Sequence, residues 1–319
     1  MVMRTRSFRS SSNSMSSKSG HRTVLLHEAI EQLAIQKRDV VVDATLGGGG
    51  HARAIAKGLG KGGVFIGIDL DAKAIERTRV ALKDFKLPKI HLVEANFRNL
   101  SLELERLGVA TVDKALFDLG WSGYQLDGGR GFSFLKDEPL TMTYSSNPGP
   151  TMLTASTIVN EWAEESIADV IFGWGEEHYA RRIAKRIVER RSTAPFQTAL
   201  ELADAIRGAV PPAYRYGRIH PATKTFQALR IAVNDELGAL KDGLLAAWSS
   251  LRDEGRIAVV SFHSIEDRIV KRMFVGWEKE NEGKRITHSP IRASKEEIAG
   301  NPRSRSAKMR VIEKIVPGE

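Results

Sequence analysis

Four short apolar runs, each closed by a polar or glycine-rich turn, constrain this chain more than any other feature. In VVVDATLGGGGHARAIA, residues 40–56, Val40, Val41 and Val42 are β-branched and read as a buried strand. Ala52, Ile55 and Ala56 then recur at helical spacing. GGVFIGIDLDAKAIERT adds a second strand ending at Asp69 with a helix from near Ala72, and KIHLVEANF and KALFDLGWSG supply two more strands. Strands alternating with helices predict an α/β chain whose parallel sheet is covered on both faces. Ligands bind such sheets beyond the carboxyl ends of the strands. The candidate residues are therefore Gly47 to His51, Asp69, Asn96 and Phe97, and Asp118 to Ser122.

From about residue 135 to 220 the alternation stops and the chain reads as mostly helical. HYARRIAKRIVERR sets Tyr179, Ile183 and Ile187 along one stripe, with Arg181, Arg182, Lys185, Arg186, Arg190 and Arg191 largely elsewhere. That basic face is either solvated or a contact for RNA phosphate. Strand character returns at residues 256–264 and 309–316, so the helical block reads as an insertion between the fourth and fifth strands. The expected division is a disordered basic arm at 1–20, a discontinuous sheet domain at 21–134 and 221–319, and a helical insertion at 135–220. The arm is rich in serine and arginine and has no acidic residue. It reads as a solvated tail, with a mitochondrial transit peptide as the alternative. Asp267 and Arg268 are expected to pair with each other or to cap the next helix.

Gly47, Gly49 and Ala52 fit G-x-G-x-x-[GA], a turn that brings backbone close to a ligand at a helix N-terminus. Both a nicotinamide dinucleotide and S-adenosylmethionine want such a turn, with a carboxylate after strand two for the ribose; Asp69 serves either. Asp43 favours the sulfonium ligand, because a carboxylate four residues before Gly47 would repel a pyrophosphate. Asp118 fits the same pocket. The 319 residues carry a formal charge of +9, which points to an anionic partner, first of all nucleic acid. Cysteine is absent, which excludes disulfides, thiolate metal sites and cysteine nucleophiles. The sequence has no metal-ligand spacing and no apolar stretch of roughly 18 residues that would span a bilayer. No membrane partner is expected, and the cytoplasm is the expected compartment, or the mitochondrial matrix if the arm is a transit peptide.

DATLGGGGH, DLGWSGYQLDGGRGFSF, TASTIVN, GEEHYARRIAKRIVERR, HPATKTFQALRIAVNDEL, SFHSIEDRIVKRMF and NPRSRSAKMR follow one another in this order. Together, over about residues 21–316, they resemble the bacterial small-subunit rRNA (cytosine-N4)-methyltransferase family, RsmH or MraW. The resemblance implies a Rossmann-like class I S-adenosylmethionine-dependent methyltransferase sheet carrying a helical substrate domain. It also implies methylation of the exocyclic N4 of a cytidine in the decoding region of small-subunit rRNA. The family's cofactor residues correspond to Gly49, Gly50, His51, Asp69, Phe97, Asp118 and Gln125, to which the glycine pattern adds Asp43 and Gly47. For catalysis the candidates are Asp118, Trp121, Ser122 and His263. Substrate candidates are Tyr124, Arg130 and His220, together with Arg181, Arg182, Lys185 and Arg186 on the basic helix. Trp121 and Tyr124 offer aromatic faces to a flipped base, Trp121 alternatively packing under the insertion.

The chain departs from the family in two places. WSGYQLD stands where VSSPQLD is usual, and LTMTYSS, residues 140–146, where the family has LDMRMD. Two aspartates and an arginine are missing. Three alternatives remain at this level: a cofactor-binding assembly factor without catalysis, a methyltransferase for another substrate, and a nicotinamide-dependent oxidoreductase. Sequence is compatible with a homodimer and does not determine it.

Overall fold

The computed structural model describes residues 22–86, 88–120, 128–145, 149 and 151–315. Trp121, Ser122, Tyr124, Gln125 and the expected arm at 1–20 lie outside the described residues. After helix α1 (Leu26–Leu33), the first half alternates as the sequence predicts: β1 (Val40–Asp43), α2 (Gly50–Gly58), β2 (Val64–Asp69), α3 (Ala72–Leu82), β3 (Lys89–Glu94), α4 (Leu100–Arg106) and β4 (Val112–Asp118). β5 (Leu251–Ser261) pairs parallel to β4, and β6 (Gly283–Arg285) and β7 (Lys308–Lys314) close the edge antiparallel. The order is β3-β2-β1-β4-β5-β7-β6. It reverses at β1, where β2 and β4 run off to opposite sides, so a crevice opens beyond the carboxyl ends of β1 and β4.

Neighbouring residues of the central strands go to opposite faces, as the two-residue period of a strand requires. Val42, Ile66 and Phe117 pack on one side with Leu240, Leu244 and Phe274, while Val41, Phe65 and Leu116 pack on the other with Leu33 and Ile55. Each such side chain, withdrawn fully from water, contributes about 1.5–3 kcal/mol. Sheet positions are therefore held from both sides.

Between β4 and β5 come α5 (Ala155–Glu161), α6 (Glu164–Gly175), α7 (Ala180–Arg191), α8 (Ala199–Ala209), α9 (Pro212–Arg215), α10 (Thr223–Asn234) and α11 (Glu236–Ser250). The helical run thus continues past residue 220. α10 buries Phe226, Leu229 and Val233 in the apolar core of the helical segment, whereas α11 buries Leu240, Leu244 and Trp248 against the sheet. Asp235, at φ 44°, is the single bent joint between them. On α7, Ile183, Ala184 and Ile187 are buried, and Tyr179 is the N-cap rather than part of the helix. Arg191 donates to the Val159 and Trp162 carbonyls at 2.9 and 2.7 Å, so it braces α5 rather than facing an anion.

Two more helices follow β5: α12 (Ser264–Lys279) and α13 (Lys295–Gly300). Here the structure corrects an expectation. Asp267 and Arg268 point in different directions, because adjacent helical positions are about 100° apart. Asp267 is turned inward to Arg310 at 2.7 Å and Lys308 at 3.0 Å, and Arg268 outward to Glu176 at 2.5 Å. Among the described residues, no helix is long and apolar enough to cross a membrane.

Candidate active site

A cavity of about 440 Å³ lies at the carboxyl edge of the sheet, within the range of about 300–1,000 Å³ common for ligand sites. Its inner part is made by the turn after β1. Gly47 and Gly49 sit at φ +49° and +77°, a region that L side chains rarely adopt, and the turn delivers the free amides of the α2 N-terminus to the cavity. Asp69 fixes the turn from β2: its Oδ2 accepts from the Gly47 amide at 2.9 Å, while its Oδ1 accepts from the Asp71 amide at 2.8 Å. Thr45 ties the turn to β4, its hydroxyl accepting from the Asp118 amide at 2.7 Å. Phe97 lines the cavity with its ring edge-on to Phe117, 5.6 Å between centroids.

Behind the turn lies a buried trio. His51, in the first turn of α2, has Nδ1 3.5 Å from Asp118 Oδ2, and Asp43 Oδ1 accepts from the Thr45 amide at 3.2 Å. Burial pushes the Asp43 carboxyl up to about 7; His51 and the Thr45 amide pull it down, and Asp118 and Asp69 push it further. Burial works against charge on His51, yet Asp118 and Asp43 raise its affinity for a proton above the ordinary histidine value. Among the described residues, Asp43 Oδ2, Asp118 Oδ1 and His51 Nε2 are buried without a hydrogen-bond partner. Such atoms are costly to leave unmatched.

These shifts give a measurable pH dependence. The folded state holds the Asp43 proton to about 7, against about 3.9 for an unfolded aspartate. The stabilisation is therefore fully present below about 3.9 and is lost as pH rises through 7. Without ligand, the stability difference between the wild type and Asp43→Asn should fall from pH 4 to 7 and level off above, read by urea titration. A difference independent of pH would refute the raised value.

The outer part of the cavity comes from residues that the sequence reading did not single out. Phe132, Phe134, Tyr144, Arg230, Glu236 and Glu266 line it. Arg230 donates through Nε and Nη2 to the two oxygens of Glu236 at 2.7 and 2.9 Å, and the Tyr144 hydroxyl donates to Glu236 Oε1 at 2.8 Å. Asn234 accepts from the Tyr144 amide at 2.8 Å and donates to the Met142 carbonyl at 2.8 Å. This network anchors residues 142–144, the departing LTMTYSS segment, to the joint between α10 and α11. Burial opposes ionisation of Glu266, but His263, Arg230 and the Phe262 amide hold its carboxyl below the usual range. The available signal was the polar run Asn234, Asp235 and Glu236 directly after the apolar Ile231 to Val233, with Arg230 before it.

The cavity thus brings together Asp69, Phe97, Asp118, His263 and the glycine turn with His51. Asp43 lies just behind it. His263 Nδ1 caps α12 by accepting from the Glu266 amide at 3.4 Å, and its Nε2 stands 3.2 Å from Glu266 Oε1, so both ring nitrogens already face protein groups. His220 backs the wall by stacking on Phe134, with ring centroids 4.5 Å apart. Arg130 donates to the Tyr144 carbonyl at 2.6 Å and lies over the Phe132 ring, bracing the outer wall. Arg181, Arg182, Lys185 and Arg186 are exposed on α7 and do not line the cavity.

The profile of the MraW methylase family matches residues 18–315. The chain belongs to that family. Relatives that carry the name ribosomal RNA small subunit methyltransferase H include three at 43–46% identity. That of Clostridioides difficile is 43% identical, covering 92% of this chain and 99% of its own length. The Brevibacillus brevis protein is 44% identical over 92% and 98%, and the Deinococcus deserti protein 46% over 94% and 95%. Members of the MraW methylase family use S-adenosylmethionine, and the inner cavity suits that molecule on chemical grounds. Its carboxylate would find the amides at the start of α2, its ribose Asp69 and its adenine Phe97, with Asp43 behind the turn adding negative charge on the side of the ammonium.

Proposed function

We propose that the protein transfers a methyl group from S-adenosylmethionine to the exocyclic N4 of a cytidine in the decoding region of small-subunit rRNA. The observation that carries this reading is the continuity of one cavity, from the glycine turn and Asp118 to an outer chamber walled by Phe132, Phe134 and Tyr144. The inner end suits the cofactor, and the outer end offers aromatic surface to a base taken out of its stack. The rRNA named for the relatives agrees with the formal charge of +9.

The N4 lone pair is delocalised into the cytosine ring, so the reaction needs acceptors on the N–H groups, in-line placement and a route for the proton. Bound S-adenosylmethionine supplies an electrophilic methyl on a sulfonium. Asp118 Oδ1, at the end of β4 and without a hydrogen-bond partner among the described residues, accepts from the amino group, strengthens that contact as nitrogen gains positive charge, and takes the proton that nitrogen then loses. The Leu119 and Gly120 carbonyls beside it serve as further acceptors. No covalent enzyme intermediate is required, in keeping with a chain that has no cysteine. Residues 135–220 act as the substrate-recognition insertion on a methyltransferase unit of 21–134 and 221–319, with Arg181, Arg182, Lys185 and Arg186 meeting phosphate.

The test is transfer from labelled S-adenosylmethionine to small ribosomal subunits that lack the modification, with the product nucleoside identified by mass spectrometry. N4-methylcytidine in the decoding region is the expected result. Cofactor binding without transfer to the subunit overturns the substrate assignment.

A further inference from the structure

Helix α12 turns a cationic face to solvent. Arg268, Lys271, Arg272 and Lys279 are exposed along one side, while Val270, Phe274 and Trp277 are buried on the other. Glu176 holds Arg268. Among the described residues, Lys271, Arg272 and Lys279 have no ion-pair partner. Like charges one turn apart on a helix cost about 0.2–0.5 kcal/mol a pair, and Arg268 stands one turn from both Lys271 and Arg272. Only Lys279 lies in the last turn, where the helix dipole compensates a cation.

Gly276 sits on the same side, between Arg272 and Lys279. A Cβ there would meet nothing within 4 Å, so packing does not require glycine, although a glycine in a helix interior costs about 1 kcal/mol relative to alanine. It leaves a shallow groove bordered by Lys271, Arg272, Val275 and Lys279. The groove lies on a helix that starts at the cavity. His263, the N-cap of α12, lines that cavity, and the 16 residues of the helix extend the face roughly 24 Å beyond it.

We propose that this face of α12 is a phosphate-binding track for the rRNA strand flanking the target nucleotide. The inference rests on the rRNA reading above, and charge complementarity selects the occupant: three cations without an ion-pair partner among the described residues, on a helix whose N-cap lines the reaction cavity, suit a polyanion whose reactive unit lies in that cavity.

The test compares the full chain with the triple variant Lys271→Gln, Arg272→Gln, Lys279→Gln. A second triple variant, Lys61→Gln, Lys83→Gln, Lys86→Gln, removes equal charge from the amino edge of the sheet, opposite the cavity. Binding of small-subunit rRNA is measured over a series of salt concentrations, with methyl transfer in parallel. The α12 variant should bind about tenfold more weakly at 0.1 M salt, and its log–log salt slope should be shallower by about 2 to 3. Its KM for the subunit should rise while kcat at saturation stays at the wild-type value, and the second variant should keep wild-type behaviour. Unchanged affinity and slope in the α12 variant, or equal losses in both variants, overturn the track. A wild-type chain that binds rRNA but transfers no methyl refutes the functional reading instead, and the binding comparison still decides the track. A wild type that does not bind rRNA ends both.

Discussion

Asp118→Asn is expected to lower kcat for methyl transfer by about 10²–10³-fold, while the Kd for S-adenosylmethionine rises less than about tenfold. The substitution preserves shape and replaces one acceptor oxygen by a donor. Asp118 Oδ1 has no hydrogen-bond partner among the described residues, and its carboxylate stands at the β4 edge of the cavity between the glycine turn and the outer chamber. An acceptor there does more for a nitrogen that is gaining charge and losing a proton than for the neutral amino group of the ground state, so its loss falls on kcat. Cofactor affinity depends also on the α2 amides, Asp69 and Phe97, which the variant leaves in place. Isothermal titration for the cofactor and single-turnover methyl transfer separate the two quantities. Turnover within threefold of wild type would remove Asp118 from the reaction.

Arg230→Met should destabilise the fold by about 3–5 kcal/mol, because it strands a buried carboxylate. Glu236 keeps only the Tyr144 hydroxyl among its hydrogen-bond partners once the bidentate contacts at 2.7 and 2.9 Å are gone, and the side chains of both Arg230 and Glu236 are only 9% exposed. For a chain of this size the shift in Tm is roughly 10 °C. The double variant Arg230→Met, Glu236→Leu removes both charges and should recover most of the loss, since a desolvated ion pair contributes little over apolar packing. Urea unfolding of the two variants checks this. A single variant within 1 kcal/mol of wild type would show that the pair does not anchor the joint of α10 and α11.

Much of the inner site was legible because its causes are local. Three consecutive valines before a glycine turn make a strand, and a carboxylate that ends a parallel strand lands at the ligand edge whatever the rest of the chain does; Asp69 and Asp118 followed from that rule alone. The outer chamber was not legible, because Tyr144 and Glu236 are brought together across 92 residues by the packing of α10 on the helical core and of α11 on the sheet. No period or turn residue encodes such a meeting. The resemblance to the family pointed to the motif containing Arg230, Asn234 and Glu236 without saying that they face residues 142–144.

Charge shows the same division. Arginine and lysine are visible in the sequence, and so is a cationic helix face. Which cations find partners is a matter of neighbours: Arg190 and Arg191 are taken up by backbone carbonyls of the helical segment and Arg268 by Glu176, while Lys271, Arg272 and Lys279 have no ion-pair partner among the described residues. The pattern of residues was enough for the strand and helix order, the glycine turn and the family, because each depends on short-range periodicity or on a sequence of motifs. The proton affinities of Asp43 and His51, the anchoring of the outer chamber and the freedom of the α12 cations arise from burial and from distances between residues remote in the chain, and those exist only once the layers have packed.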